Sequence, residues 1–144
     1  MLLKDNFDVF ANRINSIDIE DSPKFGRLNV KQMICHCTDQ FKMLFGEVEG
    51  LERQNVDLIK LREMTIKNET LPTVKGLDQL AGEGTKPTDF NNDKEELLKY
   101  LTKFHNCDYN SEFHFHPYFG EINADRWDKL VIHHLDHHLK QFGR

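Results

Sequence analysis

The sequence predicts an all-α protein, a four-helix bundle with a long connection between its second and third helices. Four segments carry apolar residues at steps of three and four, which is the spacing of one face of an α-helix. Helix-capping and turn-forming residues stand between these segments, where a bundle needs its links. The chain has 144 residues, which is long enough for a core, so we expect a single domain over residues 1–144.

The first predicted helix extends from about Leu3 to Ser16. Its apolar residues recur at alternating steps of four and three: Leu3, Phe7, Phe10, Ile14 and Ile17. This alternation is typical of the buried seam of a bundle helix. Ser22 and Pro23 follow, and they indicate a turn or an extended piece before the next helix.

The second predicted helix begins after Asn29 and covers about six turns. Asn29 is a suitable N-cap, and Gln32 stands at the reciprocal position of a capping box. Gly46 costs this helix roughly 1 kcal/mol relative to alanine, so we expect packing to maintain that turn. The apolar stripe of the helix comprises Val30, Met33, Ile34, Cys37, Phe41, Leu44, Val48 and Leu51.

A long connection follows, because the helical pattern fades between Thr65 and Asn92. Glycine and proline interrupt it at Pro72, Gly76, Gly82, Gly84 and Pro87. A connection of more than about 15 residues in a compact domain is usually functional or partly disordered. A crossover between bundle helices also needs this length. Leu77 and Leu80 indicate one short helical turn within it.

Two further helices are predicted in the C-terminal half of the chain. The third helix begins near Asn92, with Glu95 as its capping partner, and its buried face is Leu97, Leu98, Leu101 and Phe104. Aromatic and polar residues alternate over Phe113–Pro117, which predicts an extended stretch before the last helix. Asn123 is a suitable N-cap for that fourth helix. Its apolar stripe is Trp127, Leu130, Val131, His134, His138 and Phe142.

Composition and charge exclude several classes of function. The net charge is −5 and lysines are interspersed with carboxylates, so nucleic acid is a poor partner. No apolar run approaches the roughly 20 residues of a membrane span, and the N-terminus lacks the features of a signal peptide. The cysteines form no disulfide pattern, and Cys35 and Cys37 have the wrong spacing for a zinc knuckle. We therefore expect a cytoplasmic protein.

The run from His133 to His138 is the most informative feature of the chain. Two pairs in it have a spacing of four, which places both rings on one side of a helix. The pair His134/His138 continues the apolar stripe, so we expect it to point into the core. The pair His133/His137 shares its face with lysines, so we expect it to point into water. The alternative for both pairs is a solvated, histidine-rich helix end.

A third ligand should come from a facing helix, and His36 is the first candidate. It flanks the apolar stripe of the second helix and would point toward an internal groove, as bundle metal sites require. The alternative is a partly exposed histidine bonded to the backbone. His105 is expected to be solvated. Of His114 and His116, one could act on a substrate, although His116 is better explained as an anchor of the turn at Pro117.

Three neutral imidazoles would leave a divalent ion one open position, for water or for a thiolate. Zinc and nickel are the first expectations, and iron, manganese and copper also accept imidazole. Candidates for a general base are Glu47, Gln40, Asp39 and His116. A hydrolase or a thiol transferase would use such a site, and no other cofactor-binding residues are indicated. Two alternatives remain, a non-catalytic metal- or ligand-binding bundle and a structural bundle with a polar histidine core.

Several motifs resemble the DinB-like superfamily over essentially the whole chain. One is residues 32–37 (Gln-Met-Ile-Cys-His-Cys), and another is residues 134–141 (His-Leu-Asp-His-His-Leu-Lys-Gln). One branch of the superfamily also carries segments similar to residues 23–26 (Pro-Lys-Phe-Gly) and 116–120 (His-Pro-Tyr-Phe-Gly), with a tryptophan like Trp127. Phe25 departs from this pattern, since relatives often carry tryptophan there.

The resemblance implies a four-helix bundle in up-down-down-up order, with a metal held by His36, His134 and His138. Better-understood relatives include metal-dependent bacillithiol transferases and a mycothiol-dependent maleylpyruvate isomerase. The resemblance therefore implies a cytoplasmic protein with a small-molecule substrate, often a homodimer, that could use a low-molecular-weight thiol. It does not identify the substrate, because one fold supports many reactions.

Overall fold

The computed structural model of the protein describes residues 2–50, 57–67, 69, 71–110 and 112–144. Five α-helices are present: α1 (Phe7–Asn15), α2 (Val30–Leu44), α3 (Leu58–Ile66), α4 (Phe90–Asn106) and α5 (Ala124–Gln141). Short 3₁₀ turns cover Leu3–Asp5 and Gln79–Ala81. The described residues contain no strand, and an isolated antiparallel β-bridge joins His116 and Gly120. The prediction of an all-α bundle is confirmed.

The core of the bundle lies between α1, α2, α4 and α5. α2 packs against α4 and α5, α1 packs against α4, and the N-terminal 3₁₀ turn packs against α5. Burial of each large apolar side chain stabilises the fold by roughly 1.5–3 kcal/mol. The largest fully buried side chains are Trp127, Phe10, Phe41 and Phe104. No helix in the described part of the chain is both long enough and apolar enough to span a membrane.

The predicted start of the second helix is confirmed, but its predicted end is wrong. Asn29 and Gln32 form the reciprocal capping box, with hydrogen bonds of 2.8 and 3.0 Å. The helix ends at Leu44, although its apolar stripe continues in the sequence. Gly46 adopts a φ of +73°, in the left-handed region that favours glycine, and the chain turns away there. Leu51, where the predicted stripe ended, lies outside the described residues.

Two other helix boundaries differ from the prediction. The first segment divides into a 3₁₀ turn and α1, because the chain bends at Asn6. The third predicted helix, α4, begins earlier than expected, since Asp89 is its N-cap and accepts a hydrogen bond from the backbone N–H of Asn92. An aspartate with this geometry satisfies an otherwise unpaired donor of the first turn. The predicted cap at Asn123 of α5 is confirmed.

The helix α3 was not predicted, because it has little apolar periodicity. Its N-cap is Asp57, and Leu61 is its one buried residue among those described. Ile59 and Ile66 are 73% and 81% exposed. A helix that buries so little does not display the spacing on which a sequence-based prediction depends.

The rest of the long connection lies across α2 and α5 and is held at both ends. The hydroxyl of Tyr118 donates to the carbonyl oxygens of Pro72 and Thr73, at 3.2 and 3.1 Å. At the other end, both carboxylate oxygens of Asp39 accept hydrogen bonds from Thr85, at 3.0 and 2.6 Å. The predicted short turn appears here as the 3₁₀ turn that contains Leu80, directly after the buried Leu77.

Candidate metal centre

The candidate site is built by α2 and α5, which bring three histidines together. His36 lies on α2, and His134 and His138 lie one turn apart on α5. The three imidazole rings are in contact, with each pair of ring centroids 4.6 Å apart. Nε2 of His36 lies 2.8 Å from Nε2 of His134, and ligand nitrogens of all three lie within 4.8 Å of one another. The histidines selected from the helical faces therefore share one centre.

Burial keeps these three imidazoles neutral near pH 7. Desolvation lowers the pKa of His138 to about 3 and the pKa of His134 well below its ordinary value. Desolvation also lowers the pKa of His36, although the carboxylate of Asp39 acts in the opposite direction. A neutral imidazole is the form that ligates a metal ion, so burial prepares this cluster for that role.

Two of the histidines form hydrogen bonds with groups outside the cluster. Nδ1 of His138 lies 2.9 Å from Oε1 of Gln141, which can only accept, so Nδ1 carries the proton. A hydrogen bond with the backbone of Leu77 raises the pKa of His36. The proton on Nδ1 of His138 leaves a lone pair on its Nε2. This is the usual arrangement of histidine ligands in metal sites.

The donor set fits a divalent transition ion. Three neutral imidazoles are the ligand set of one class of catalytic zinc site, and imidazole also suits nickel, iron and copper. Tetrahedral ligation at ordinary Zn–N distances places nitrogens about 3.3 Å apart, so the 2.8 Å pair would need to separate slightly. In a centre without metal, the same two nitrogens form a hydrogen bond with each other. That is the arrangement of the polar-core alternative.

A cavity of ≈ 140 Å³ adjoins the three histidines. Residues of α2 and α5 line one side, and residues 71–74 and 77–80 of the long connection line another. Leu28, His116 and Tyr118 complete the lining among the described residues. The connection therefore does more than join two helices, because it forms a wall of the cavity beside the candidate site.

The pair His133/His137 lines this cavity, and the prediction that it would point into water was wrong. Both side chains are half-buried. Nε2 of His133 lies 3.3 Å from the carbonyl oxygen of Glu69, and the ring of His137 packs edge-on against Phe25 and His138. The helical period of α5 carries no information about a distant segment that covers this face. The sequence pattern therefore indicated solvent where the fold places other residues.

Three of the four predicted base candidates, Asp39, Gln40 and His116, line the cavity. Asp39 is 1% exposed, and both of its oxygens accept hydrogen bonds from Thr85. It therefore holds the connection against α2, and each of its carboxylate oxygens is already engaged in one hydrogen bond. Gln40 is half-buried at the cavity and offers an amide to a bound molecule.

Glu47 lies outside the described cavity lining, so the structure does not bring this candidate to the site. Its carboxylate accepts a hydrogen bond from the hydroxyl of Tyr100 and pairs with Lys103 at 3.8 Å. Glu47 would lie on the same flank of α2 as His36 if the helical period continued. Because α2 ends at Leu44, that period no longer determines where the side chain lies.

His116 anchors the turn before α5, which confirms the role preferred from the sequence. Its Nδ1 accepts hydrogen bonds from the backbone N–H groups of Tyr118 and Phe119, at 3.0 and 3.4 Å. Its backbone pairs with Gly120 in both directions, at 2.8 and 2.9 Å. Burial lowers the pKa of His116 to about 4, so the ring is neutral and carries its proton on Nε2.

The remaining histidines, His105 and His114, are not among the described residues that line the cavity. His105 was expected to be solvated, but its ring stacks on Phe7 with centroids 4.5 Å apart and its Nδ1 is buried. The expectation was wrong because α1 packs over this shoulder of α4. The ring of His114 packs against Phe115.

Two contributions to the site were not identified from the sequence. Gln141 stands three residues after His138, and this spacing on a helix could have indicated the contact. The backbone of Leu77 had no such signal, because a backbone group is common to every residue and only the path of the connection brings this one to His36.

Comparison with known proteins gives one match. No curated protein and no solved structure matches the chain. The model of one protein family matches residues 2–144, which is nearly the whole sequence. The chain therefore belongs to the family described as "Protein of unknown function (DUF1569)".

Proposed function

We propose that this protein is a metal-dependent enzyme that acts on a small molecule, as a hydrolase or as a thiol S-transferase. The observation that carries the proposal is the shared centre of His36, His134 and His138 beside a cavity. These residues would hold one divalent transition ion, with zinc or nickel first and iron or manganese as alternatives. The proposal includes membership of the DinB-like superfamily, which the motifs in the sequence support.

When bound, the ion would act as a Lewis acid and would lower the pKa of a coordinated water or thiol. The chain itself orients His138, since Oε1 of Gln141 accepts the proton of its Nδ1. The backbone of Leu77 also forms a hydrogen bond with His36. The connection forms one wall of the cavity. Within the cavity, the amide of Gln40 and Nε2–H of His116 are the groups suited to hydrogen-bond a substrate.

Elemental analysis of protein purified without a His-tag tests the metal site. We expect about one transition ion per chain in the wild type and almost none in His36→Ala. His114→Ala is the matched control, because it removes a half-buried histidine outside the cluster and should retain the metal. Folded wild-type protein without metal contradicts the proposal, as does full metal content in His36→Ala.

A second candidate function is a bundle that binds metal or a small ligand without turnover. The observation in its favour is that Asp39 is committed to Thr85 while Glu47 lies elsewhere, so neither carboxylate is poised as a base. Screening ester hydrolysis, amide hydrolysis and thiol transfer with and without a chelator separates the two. Chelator-sensitive turnover supports the enzyme, and ligand binding with no turnover supports the binding protein.

The third possibility, a structural polar core, is separated by thermal unfolding of His134→Ala. In a metal site this change lowers the melting temperature mainly when metal is present, because only the metal-bound state loses binding free energy. In a polar core the loss would be the same with and without metal.

A further inference from the structure

We propose that the cavity beside the three histidines receives an uncharged, largely apolar group of about the size of a benzene ring. The inference rests on the proposed function, because it names the class of substrate that the same site would take. Such a substrate would place one polar group at the histidines, and the rest of the molecule would carry no charge. The apolar wall and volume of the cavity, the hydrogen bonds of its polar side chains and the sign of its charges each support this assignment.

Apolar side chains form much of the cavity wall. They come from three separate parts of the fold: the segment before α2, the long connection and α5. An enclosed cavity of about 150 Å³ lined by such side chains binds benzene, and this cavity, whose lining also includes polar residues, has a similar volume of ≈ 140 Å³. Leu80 lines the cavity and is also 46% exposed, which places it at the mouth. The apolar lining residues include Leu28, Leu71, Val74, Leu77, Leu80 and Leu130.

Several of the polar side chains around the cavity already form hydrogen bonds within the protein. Both oxygens of Asp39 accept from Thr85, and Nε2 of Gln79 donates to the Thr85 carbonyl at 2.7 Å. Nδ1 of His116 accepts from backbone N–H groups of the following turn. A ligand with several polar groups would have to displace these bonds, which is costly in a partly buried site. A ligand whose body is apolar would displace none of them.

The fixed charges at the cavity are negative. The carboxylates of Asp39 and Asp78 both line it, and no lysine or arginine is among the described lining residues. An anionic group on the body of a ligand would therefore meet like charge in a site of low dielectric, which discriminates against it. An uncharged body meets no such penalty.

Two probes of one shape test the inference on metal-free protein. Benzyl alcohol carries no charge, and 4-(hydroxymethyl)benzoate adds one carboxylate to the same ring. NMR titration should show benzyl alcohol shifting the methyl signals of Leu77, Leu80 and Leu130, with a Kd about tenfold or more below that of the acid. Because the metal is removed beforehand, this result is independent of the elemental analysis, and either proposal can fail alone.

A charge placed at the mouth of the cavity provides the second measurement. Leu80→Lys should strengthen binding of the acid. The ratio of the two Kd values, acid to alcohol, should fall about threefold or more. Ile19→Lys is the matched control, because Ile19 is 45% exposed and is not a lining residue, and it should leave the ratio unchanged. Equal binding of the probes, tighter binding of the acid, an unchanged ratio in Leu80→Lys, or no saturable shift of these methyls would overturn the inference.

Discussion

Nδ1 of His138 lies 2.9 Å from Oε1 of Gln141, and both side chains are buried. The same glutamine connects the last helix to the segment before α2, because its backbone carbonyl oxygen accepts a hydrogen bond of 2.7 Å from the backbone N–H of Lys24. Gly26 adopts a φ of +78°, and a Cβ there would overlap the Gln141 amide. The segment around Gly26 is thus shaped to accommodate the residue that orients His138.

Replacing Gln141 by leucine is expected to weaken metal binding about 10- to 100-fold, because His138 loses the acceptor that fixes its tautomer and ring orientation. Gln141→Glu keeps an acceptor at this position and should bind metal much more tightly than Gln141→Leu. A competition titration against a chelator measures both affinities. Unchanged affinity in Gln141→Leu, at an unchanged melting temperature of the metal-free protein, would show that the contact does not position the ligand.

Two glycines of the long connection form a matched pair for testing the wall of the cavity. Gly82 and Gly84 both have a φ of +75°, but a Cβ on Gly84 would overlap Oδ2 of the buried Asp39, whereas a Cβ on Gly82 would have space. Gly82→Ala should cost about 1–2 kcal/mol of unfolding free energy for the left-handed backbone. Gly84→Ala should cost at least about 1 kcal/mol more, because Asp39 cannot move without breaking its bonds to Thr85.

Urea denaturation of both variants measures this difference. Equal costs for the two changes would mean that the connection yields at Gly84, and that Asp39 does not hold it rigidly against α2.

Acid should destabilise the metal-free protein through its histidine cluster. Burial lowers the pKa of His138 to about 3, while an unfolded histidine titrates near about 6.5. Between these values the unfolded chain binds more protons than the folded chain, so the free energy of unfolding falls as the pH falls. Each such histidine contributes up to about 1.4 kcal/mol per pH unit in this window, and nothing further above about pH 7.

Urea denaturation of the wild type and of His138→Gln between about pH 7 and pH 5 checks this expectation. Carboxylates titrate in both proteins, so the difference between the two slopes isolates His138. We expect the variant to lose stability less steeply as the pH falls. Parallel slopes would mean that His138 is protonated in the folded protein at the same pH as in the unfolded chain.

The N-terminal turn should depend on one buried carboxylate. Asp128 is fully buried and accepts hydrogen bonds from the backbone N–H of Leu3 and from the hydroxyl of Tyr109. Tyr109→Phe should cost about 1–3 kcal/mol, because it leaves a buried carboxylate short of a donor. Tyr100→Phe is the control, since its hydroxyl bonds to Glu47 at the exposed surface, and it should cost about 0.5 kcal/mol or less. Thermal unfolding of both variants measures the difference, and equal losses would contradict it.

The fold class and the three clustered histidines could be predicted from the sequence because both depend on the helical period. The stripe that carries Trp127 and Val131 into the core also carries His134 and His138, and the period is regular through α5. The same reasoning failed at Glu47, because a period extrapolates only while the helix continues, and α2 ends before that residue. It also failed for α3, which buries too little to show a pattern.

The tertiary structure alone decided what surrounds the cluster. The sequence by itself determined which helix faces carry histidine, since that follows from local geometry. Only the folded chain brings the Leu77 backbone to His36 and the Glu69 carbonyl to His133, and only the folded chain bonds Asp39 to Thr85. These contacts join residues far apart in the chain through an irregular connection. No period describes such a connection, so its path depends on which buried donors and acceptors it can satisfy.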